Sequence, residues 1–195
     1  MPQNTLRTFI AIELESSLQE NLKNIQEYLK KSGADVKWVK SENIHLTLKF
    51  LGDVSEKNID SILGILKESL IDWPDFTFDL TYLGAFPKPE NPKIIWAGIT
   101  LGKEEIEKIV SMLEDKLHSI GFEKEERDFA LHVTLGRLRF STNRFALSKL
   151  IKNYSFPEPI TQNARQIILF KSTLTSSGPV YEALARFDLK SPSIS

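Results

Sequence analysis

At 195 residues, with 41% hydrophobic and 26% charged side chains, the chain has the length and composition of one globular domain, or of two small lobes sharing a core. A net charge of -1 gives almost no overall field toward phosphate, so broad duplex binding is not expected and any nucleic-acid contact has to come from a local basic cluster. The absence of cysteine excludes a disulfide framework, a catalytic thiol and thiolate metal sites; with no signal-like N-terminus and no run near the roughly 20 apolar residues of a membrane span, the expected location is cytoplasmic.

The first element is a strand, TLRTFIAIELE at 5–15, rich in Thr, Phe and Ile and ending where charge begins. An amphipathic helix follows at 16–33, with Leu18, Leu22, Ile25 and Leu29 spaced by three or four and Gly33 closing it. The segment VKWVKSENIHLTLKFLGDV, 36–54, holds two β-rich runs. A second helix over 55–72 is set by Ile59, Ile62, Ile65 and Leu66, with Ser55 placed to cap it. DFTFDLTYLG and KIIWAGITLG read as a strand pair, and AFPKPENP between them as a proline-rich loop.

Further on, 102–122 reads as a helix ending at Gly121, ERDFALHVTLGRLRF as a strand, and TNRFALSKLIKNY as a shorter helix. The chain finishes in two strands, ARQIILFKSTL and VYEALARFDL, joined by TSSGP, and then a tail, 191–195, expected to be disordered. NIHLTLKFLG and ALHVTLGRLR share the frame apolar-His-apolar-Thr-Leu, each preceded by a helix and a strand, which points to two related β-rich lobes in one domain over 1–195.

That shared frame carries the chemistry. Alternate side chains of a strand face the same side, so His45 with Thr47, and His132 with Thr134, each present an imidazole and a hydroxyl on one face. Leu46 and Leu48, or Val133 and Leu135, point the other way and anchor the strand to a core. Two imidazoles across a cleft can take a proton from water and give one to a leaving oxygen, because the histidine pKa near 6.5 populates both forms at neutral pH. The threonine hydroxyls suit nonbridging phosphoryl oxygens, and an in-line displacement at phosphorus needs acid and base on opposite sides.

HLTLKFLG and HVTLGR resemble the paired H-x-T/S signatures of the 2H phosphoesterases. Within that superfamily, RTFIAI, VKWVKSENIHLTLKFLG and STLTSSGPVYEAL resemble the bacterial and archaeal RNA 2',3'-cyclic phosphodiesterases, once called 2'-5' RNA ligases, over about Leu6 to Phe187. The resemblance implies an α+β, bilobal fold with an antiparallel sheet in each lobe and the histidines in the cleft between them. It also implies metal-independent opening of the cyclic ester to a 2'-phosphomonoester, with His132 as base, His45 as acid, Thr47 and Thr134 on the phosphoryl group, and Arg137 as a nearby cation. No cofactor is implied, and RNA or nucleotide ends bearing a cyclic phosphate are the partners, met by a monomer.

Each residue also has a plainer reading. A lone strand histidine is commonly a core residue, but two with the same threonine offset and apolar frame are not expected by chance. His118, near a helix C-terminus, reads as structural. A metal site lacks a third ligand, since no His-Glu-x-x-His or Asp-rich cluster accompanies either motif. Phe9, Trp38 and Tyr181 are candidates for stacking on a base, Phe9 foremost, with core packing as the alternative. Lys49, at i+4 from His45, is read on the same strand face and within reach of phosphate. The competing functions are a 2H enzyme for another cyclic phosphate, such as ADP-ribose 1'',2''-cyclic phosphate, and a binding module without turnover.

Overall fold

The computed structural model describes residues 5–125, 130–176 and 178–191. The expected tail beyond Ser191 and residues 126–129, the start of the strand expected to carry the second motif, lie outside these residues. Ten strands and four helices are formed by the described residues: β1 Thr5–Glu13, α1 Ser16–Lys30, β2 Val36–Trp38, β3 His45–Ser55, α2 Glu56–Leu70, β4 Phe76–Leu80, β5 Tyr82–Lys88, β6 Asn91–Gly98, α3 Lys103–His118, β7 His132–Leu138, α4 Arg144–Asn153, β8 Ile160–Ala164, β9 Gln166–Thr175 and β10 Gly178–Asp188. A single 3-10 turn, Ser41–Asn43, enters β3. The architecture is α+β, as expected.

The strands form two four-stranded antiparallel sheets that touch through β3 and β7, one ordered β10-β9-β1-β3 and the other β2-β7-β6-β5, with β4-β8 as a separate ribbon. The lobes are not the two halves of the chain. β2 comes from the first half yet edges the sheet of β7, and the C-terminal hairpin β9-β10 completes the sheet of β1 and β3. α2 and α3 cover the outer side of the first sheet, α4 packs on β5 and β6, and α1 runs between α4 and β8. One apolar core joins the helix stripes Leu18, Leu22, Ile25, Leu29 and Ile106, Ile109, Leu113, Leu117 to Ile10, Leu46, Val133 and Leu135.

Several local expectations change. The stretch AFPKPENP is not a loop: β5 runs through Lys88, with a cis Phe86-Pro87 bond, and β6 starts at Asn91. β4 does not join that hairpin but pairs with β8, a short strand whose partner is too distant in sequence for a local pattern to reveal. Ser55 occupies the N-cap of α2 with extended backbone, but its hydroxyl makes no capping bond.

β1 is buried on both faces. Ile10 and Ile12 point under the helices, whereas Phe9 and Ala11 lie on the opposite face and form a second cluster with Ile168 and Phe170, against which Tyr181 and Ala183 pack. The β1–β9 ladder stops at Thr8–Lys171, and beyond it the β9-β10 hairpin pairs only with itself. Its β10 arm bulges at Leu184 and comes over to the 3-10 turn, where the Asn43 amide donates to the Pro179 carbonyl at 2.9 Å.

Candidate active site

β3 and β7 approach one another where the two sheets meet, and each bulges at the same point of its motif. In the β1–β3 ladder Thr47 pairs with Ala11 and Lys49 with Ile10, leaving Leu48 without a partner. In the β6–β7 ladder Thr134 pairs with Trp96 and Gly136 with Ile95, leaving Leu135 without one. A bulge of one residue resets the alternation of side chains. Both strands accordingly bury two residues in succession, Leu48 with Lys49 and Leu135 with Gly136, before pointing Phe50 and Arg137 outward.

The reset decides which predicted residues meet. His45 and Thr47 share the cleft face with Phe50, and His132 and Thr134 share theirs with Arg137. Lys49 is not brought to the site, contrary to the unbroken alternation assumed from the sequence. Its ammonium lies under the sheet, 2.7 Å from Glu114 of α3 and 3.1 Å from the carbonyl of Glu123, and the residue is 4% exposed. Phe9 is also corrected: at 3% exposure it is covered by the C-terminal hairpin and offers no face to a base. Trp38 lies on the opposite, core side of its strand against Gly136. His118 closes α3, donating from Nδ1 to the carbonyl of Phe122 at 3.1 Å.

The two histidines are held alike. Nδ1 of His45 meets the carbonyl of Asn43 at 2.8 Å, and Nδ1 of His132 meets that of Ala130, in each case two residues back. A carbonyl oxygen only accepts, so Nδ1 carries the proton in both rings and Nε2 is left to exchange one. Neither threonine hydroxyl of the two motifs is engaged by another described residue.

Aromatic rings wall both imidazoles. Phe9 lies 4.8 Å from the His45 ring and Tyr181 meets it edge-on at 5.3 Å; Phe86 meets His132 edge-on at 5.0 Å and Trp96 stands 6.2 Å away. Gly84 makes room for this second wall, since a Cβ there would fall 2.2 Å from the Trp96 indole. Burial among these rings pushes both histidines below their ordinary pKa, partly countered by the carbonyl bonds, and the charge of Arg137 lowers His132 further. Arg137 and Arg7 also favour the ionised form of Tyr181, although burial dominates and raises its pKa. The field of Arg137 thus reaches groups on both sheets.

The supports behind the site are polar. Gln26 of α1, buried at 4% exposure, donates to the carbonyls of Val39 and Leu135 at 2.8 and 2.9 Å, and the Leu135 carbonyl also accepts from the Val39 N–H at 2.9 Å, tying α1 to the backbone behind the second bulge. Gln162 of β8 bonds both Glu13 O and Glu15 N at 2.8 Å, fixing the end of β1 opposite His45. Among the described residues no three His, Cys, Asp or Glu side chains converge as metal ligands. No described helix is long and apolar enough to cross a membrane.

A recess of about 290 Å³ beside His45 is lined by Lys40, Asn43, Glu13, Phe170, Pro179 and Tyr181. A larger hollow of about 430 Å³ near Arg165 and Asp188 contains neither histidine, and size without chemistry does not make it the site. Phe50, Arg7, Asn43, Lys40, Phe86 and Trp96 escape the sequence reading. The only signal for them is proximity to a motif, and the sheet pairings that place them are long-range.

A model of the LigT-like phosphoesterase family matches residues 12–96 and 100–181. RNA 2',3'-cyclic phosphodiesterase of Methanothermobacter thermautotrophicus is 32% identical over 94% of this chain and 99% of its own. Those of Thermotoga maritima and Methanocaldococcus jannaschii are each 35% identical over 92% of this chain, and over 93% and 98% of their own lengths. Among solved structures, TT0787 of Thermus thermophilus superposes with a TM-score of 0.77 at 22% identity, covering 94% of this chain and 98% of that one. Escherichia coli LigT complexed with 3'-AMP gives 0.76 at 22% identity, covering 95% and 99%.

Proposed function

Because this chain belongs to the LigT-like phosphoesterase family, we propose that it hydrolyses RNA 2',3'-cyclic phosphate ends to 2'-phosphomonoesters, as a monomer and without a metal. The relatives from three organisms bear the name of that activity. The observation that carries the reading to this chain is the matched pair of histidines on bulged strands, each tied through Nδ1 to a carbonyl and free at Nε2.

In the proposed reaction Nε2 of His132 takes a proton from water as the water oxygen bonds to phosphorus. The P–O3' bond breaks in line, and Nε2–H of His45 protonates the departing O3', leaving a 3'-hydroxyl and a 2'-phosphate. Proton exchange with solvent returns the pair to its starting state. Thr47 and Thr134 donate to the nonbridging oxygens, and the Arg137 guanidinium offsets the charge that builds on them. An RNA 5'-hydroxyl in place of water turns the same steps into 2'-5' ligation.

The test is a short RNA ending in a 2',3'-cyclic phosphate, incubated in excess EDTA, with the product identified by mass spectrometry and phosphatase-coupled chromatography. Release of a 2'-phosphate by the native protein is expected. A 3'-phosphate product would reverse the assignment of the leaving oxygen, and loss of turnover in EDTA that returns with added metal would rule out metal independence.

A further inference from the structure

β2 and β7 pair with Val36 opposite Leu138, Lys37 opposite Arg137 and Trp38 opposite Gly136. Residues directly opposed in an antiparallel ladder share a face, so Lys37 stands beside Arg137 on the side of the sheet that carries His132 and Thr134. Val36 and Trp38 point to the core, and Lys37 is exposed. Two cations directly opposed repel one another and weaken the ladder unless something anionic lies between them.

The neighbouring position resolves the same problem differently. Beyond Val36 and Leu138, Arg139 faces Asp35, with their charged groups 3.7 Å apart. Neither Lys37 nor Arg137 has a carboxylate partner among the described residues, although ten other ion pairs form there. Asp35 and Arg139 lie two residues along each strand, on the same face by alternation, so the step that lacks a carboxylate is the one nearer His132. With a net charge of -1 this is a local cationic strip rather than part of a basic surface.

The strip points away from the reacting centre. Arg137 follows His132 by five residues, one of them absorbed by the bulge, which is roughly 13 Å of strand, and Lys37 lies one strand further out at about 4.8 Å. The guanidinium reaches back far enough to act on His132 and Tyr181, whereas Lys37 sits on the outer flank of Arg137. A second anion bound there is covalently continuous with the first only if the substrate is a chain. We propose that Lys37, beside Arg137, binds the phosphodiester on the 5' side of the cyclic phosphate, so that the enzyme selects oligoribonucleotide ends over cyclic mononucleotides. This rests on the reaction proposed above and adds a substrate length and a residue that reads it.

The experiment compares kcat/KM on a cyclic-phosphate hexaribonucleotide with that on a 2',3'-cyclic mononucleotide, for the native protein and for Lys37→Gln and Lys37→Glu, across a salt series. A parallel arm measures binding of a 5'-labelled hexaribonucleotide ending in a 2'-phosphate, competed by the 2'-mononucleotide. The native protein is expected to favour the hexamer. Lys37→Gln should lower kcat/KM on the hexamer about fivefold, with a much smaller effect on the mononucleotide, and make the log–log salt slope shallower by about 0.7; Lys37→Glu should lose more. Equal losses on both substrates, or no change on either, would overturn the proposal. If the native protein turned over neither substrate, the reaction would be refuted while the binding arm still decided the role of Lys37: a hexamer preference that the substitutions abolish sustains it, and no preference ends it.

Discussion

Asn43 holds His45 through the main chain, its carbonyl 2.8 Å from Nδ1, while its side chain holds the C-terminal hairpin at Pro179. The imidazole and the Tyr181 ring that meets it edge-on are therefore positioned by one residue. Ala130 does the first of these tasks for His132. Shared construction implies shared importance. Replacing His45 or His132 with Ala should each lower kcat by about 10² to 10⁴ while circular dichroism and melting temperature stay close to native. His118→Ala, which removes one exposed bond at the end of α3, should keep native turnover. Comparable losses in all three would contradict the assignment.

Acid should act on both histidines. Each has a folded pKa below 6.5, with burial the first cause, so between that value and the folded one the unfolded chain binds protons that the folded chain refuses. Stability should thus fall as pH drops through 6.5 and level off below the folded pKa values; urea titrations along the pH axis measure this. In kcat/KM, which reports the free enzyme, the form with one protonated imidazole should peak below pH 6.5. A bound phosphate anion favours the imidazolium, so the kcat profile should sit at higher pH. A kcat/KM maximum above pH 7 would contradict the burial argument.

Lys49 and Glu114 form an ion pair with side chains 2% and 16% exposed. Removing one partner strands the other charge under the sheet, and Lys49→Met should cost about 3 to 5 kcal/mol in a chemical denaturation experiment. Lys49→Met with Glu114→Leu should recover most of that loss, because apolar pairs of similar volume replace buried ion pairs well. Assayed below its melting temperature, the double variant should retain its KM for RNA. A large rise in KM would return Lys49 to the site.

Gly98 lies opposite His132, and a Cβ there would fall 2.2 Å from the Tyr82 ring. Tyr82 in turn meets Trp96 edge-on at 5.7 Å, and Trp96 walls His132. Gly98→Ala should cost about 1 to 3 kcal/mol through overpacking and lower kcat as well, since the wall of His132 shifts. Melting curves and initial rates check both; an unchanged melting temperature would mean that Tyr82 moves aside freely.

The helices are legible in the sequence because the spacing of Leu18, Leu22, Ile25 and Leu29, or of Ile62 and Leu66, records the buried stripe directly. The faces of His45 with Thr47, and of His132 with Thr134, are equally legible by alternation. Alternation then fails one residue later in both strands. A bulge depends on how the partner strand is paired, and neither Leu48-Lys49 nor Leu135-Gly136 records that in its composition. Strict alternation consequently puts Lys49 on the wrong face and passes over Phe50. Phe9 is misread for a related reason: the cover over it comes from β9 and β10, more than 150 residues away in the chain.

The exchange of strands between sheets ties the two sides of this cleft together. The chain passes from the first sheet to the second at β1–β2, returns at β2–β3, and crosses again on either side of the β5–β7 meander. A break anywhere among these crossings leaves both fragments with incomplete sheets. The molecule is laced: each of its two imidazoles stands on a sheet that the chain enters more than once, so the strands on either side of the cleft are stitched by the same run of chain.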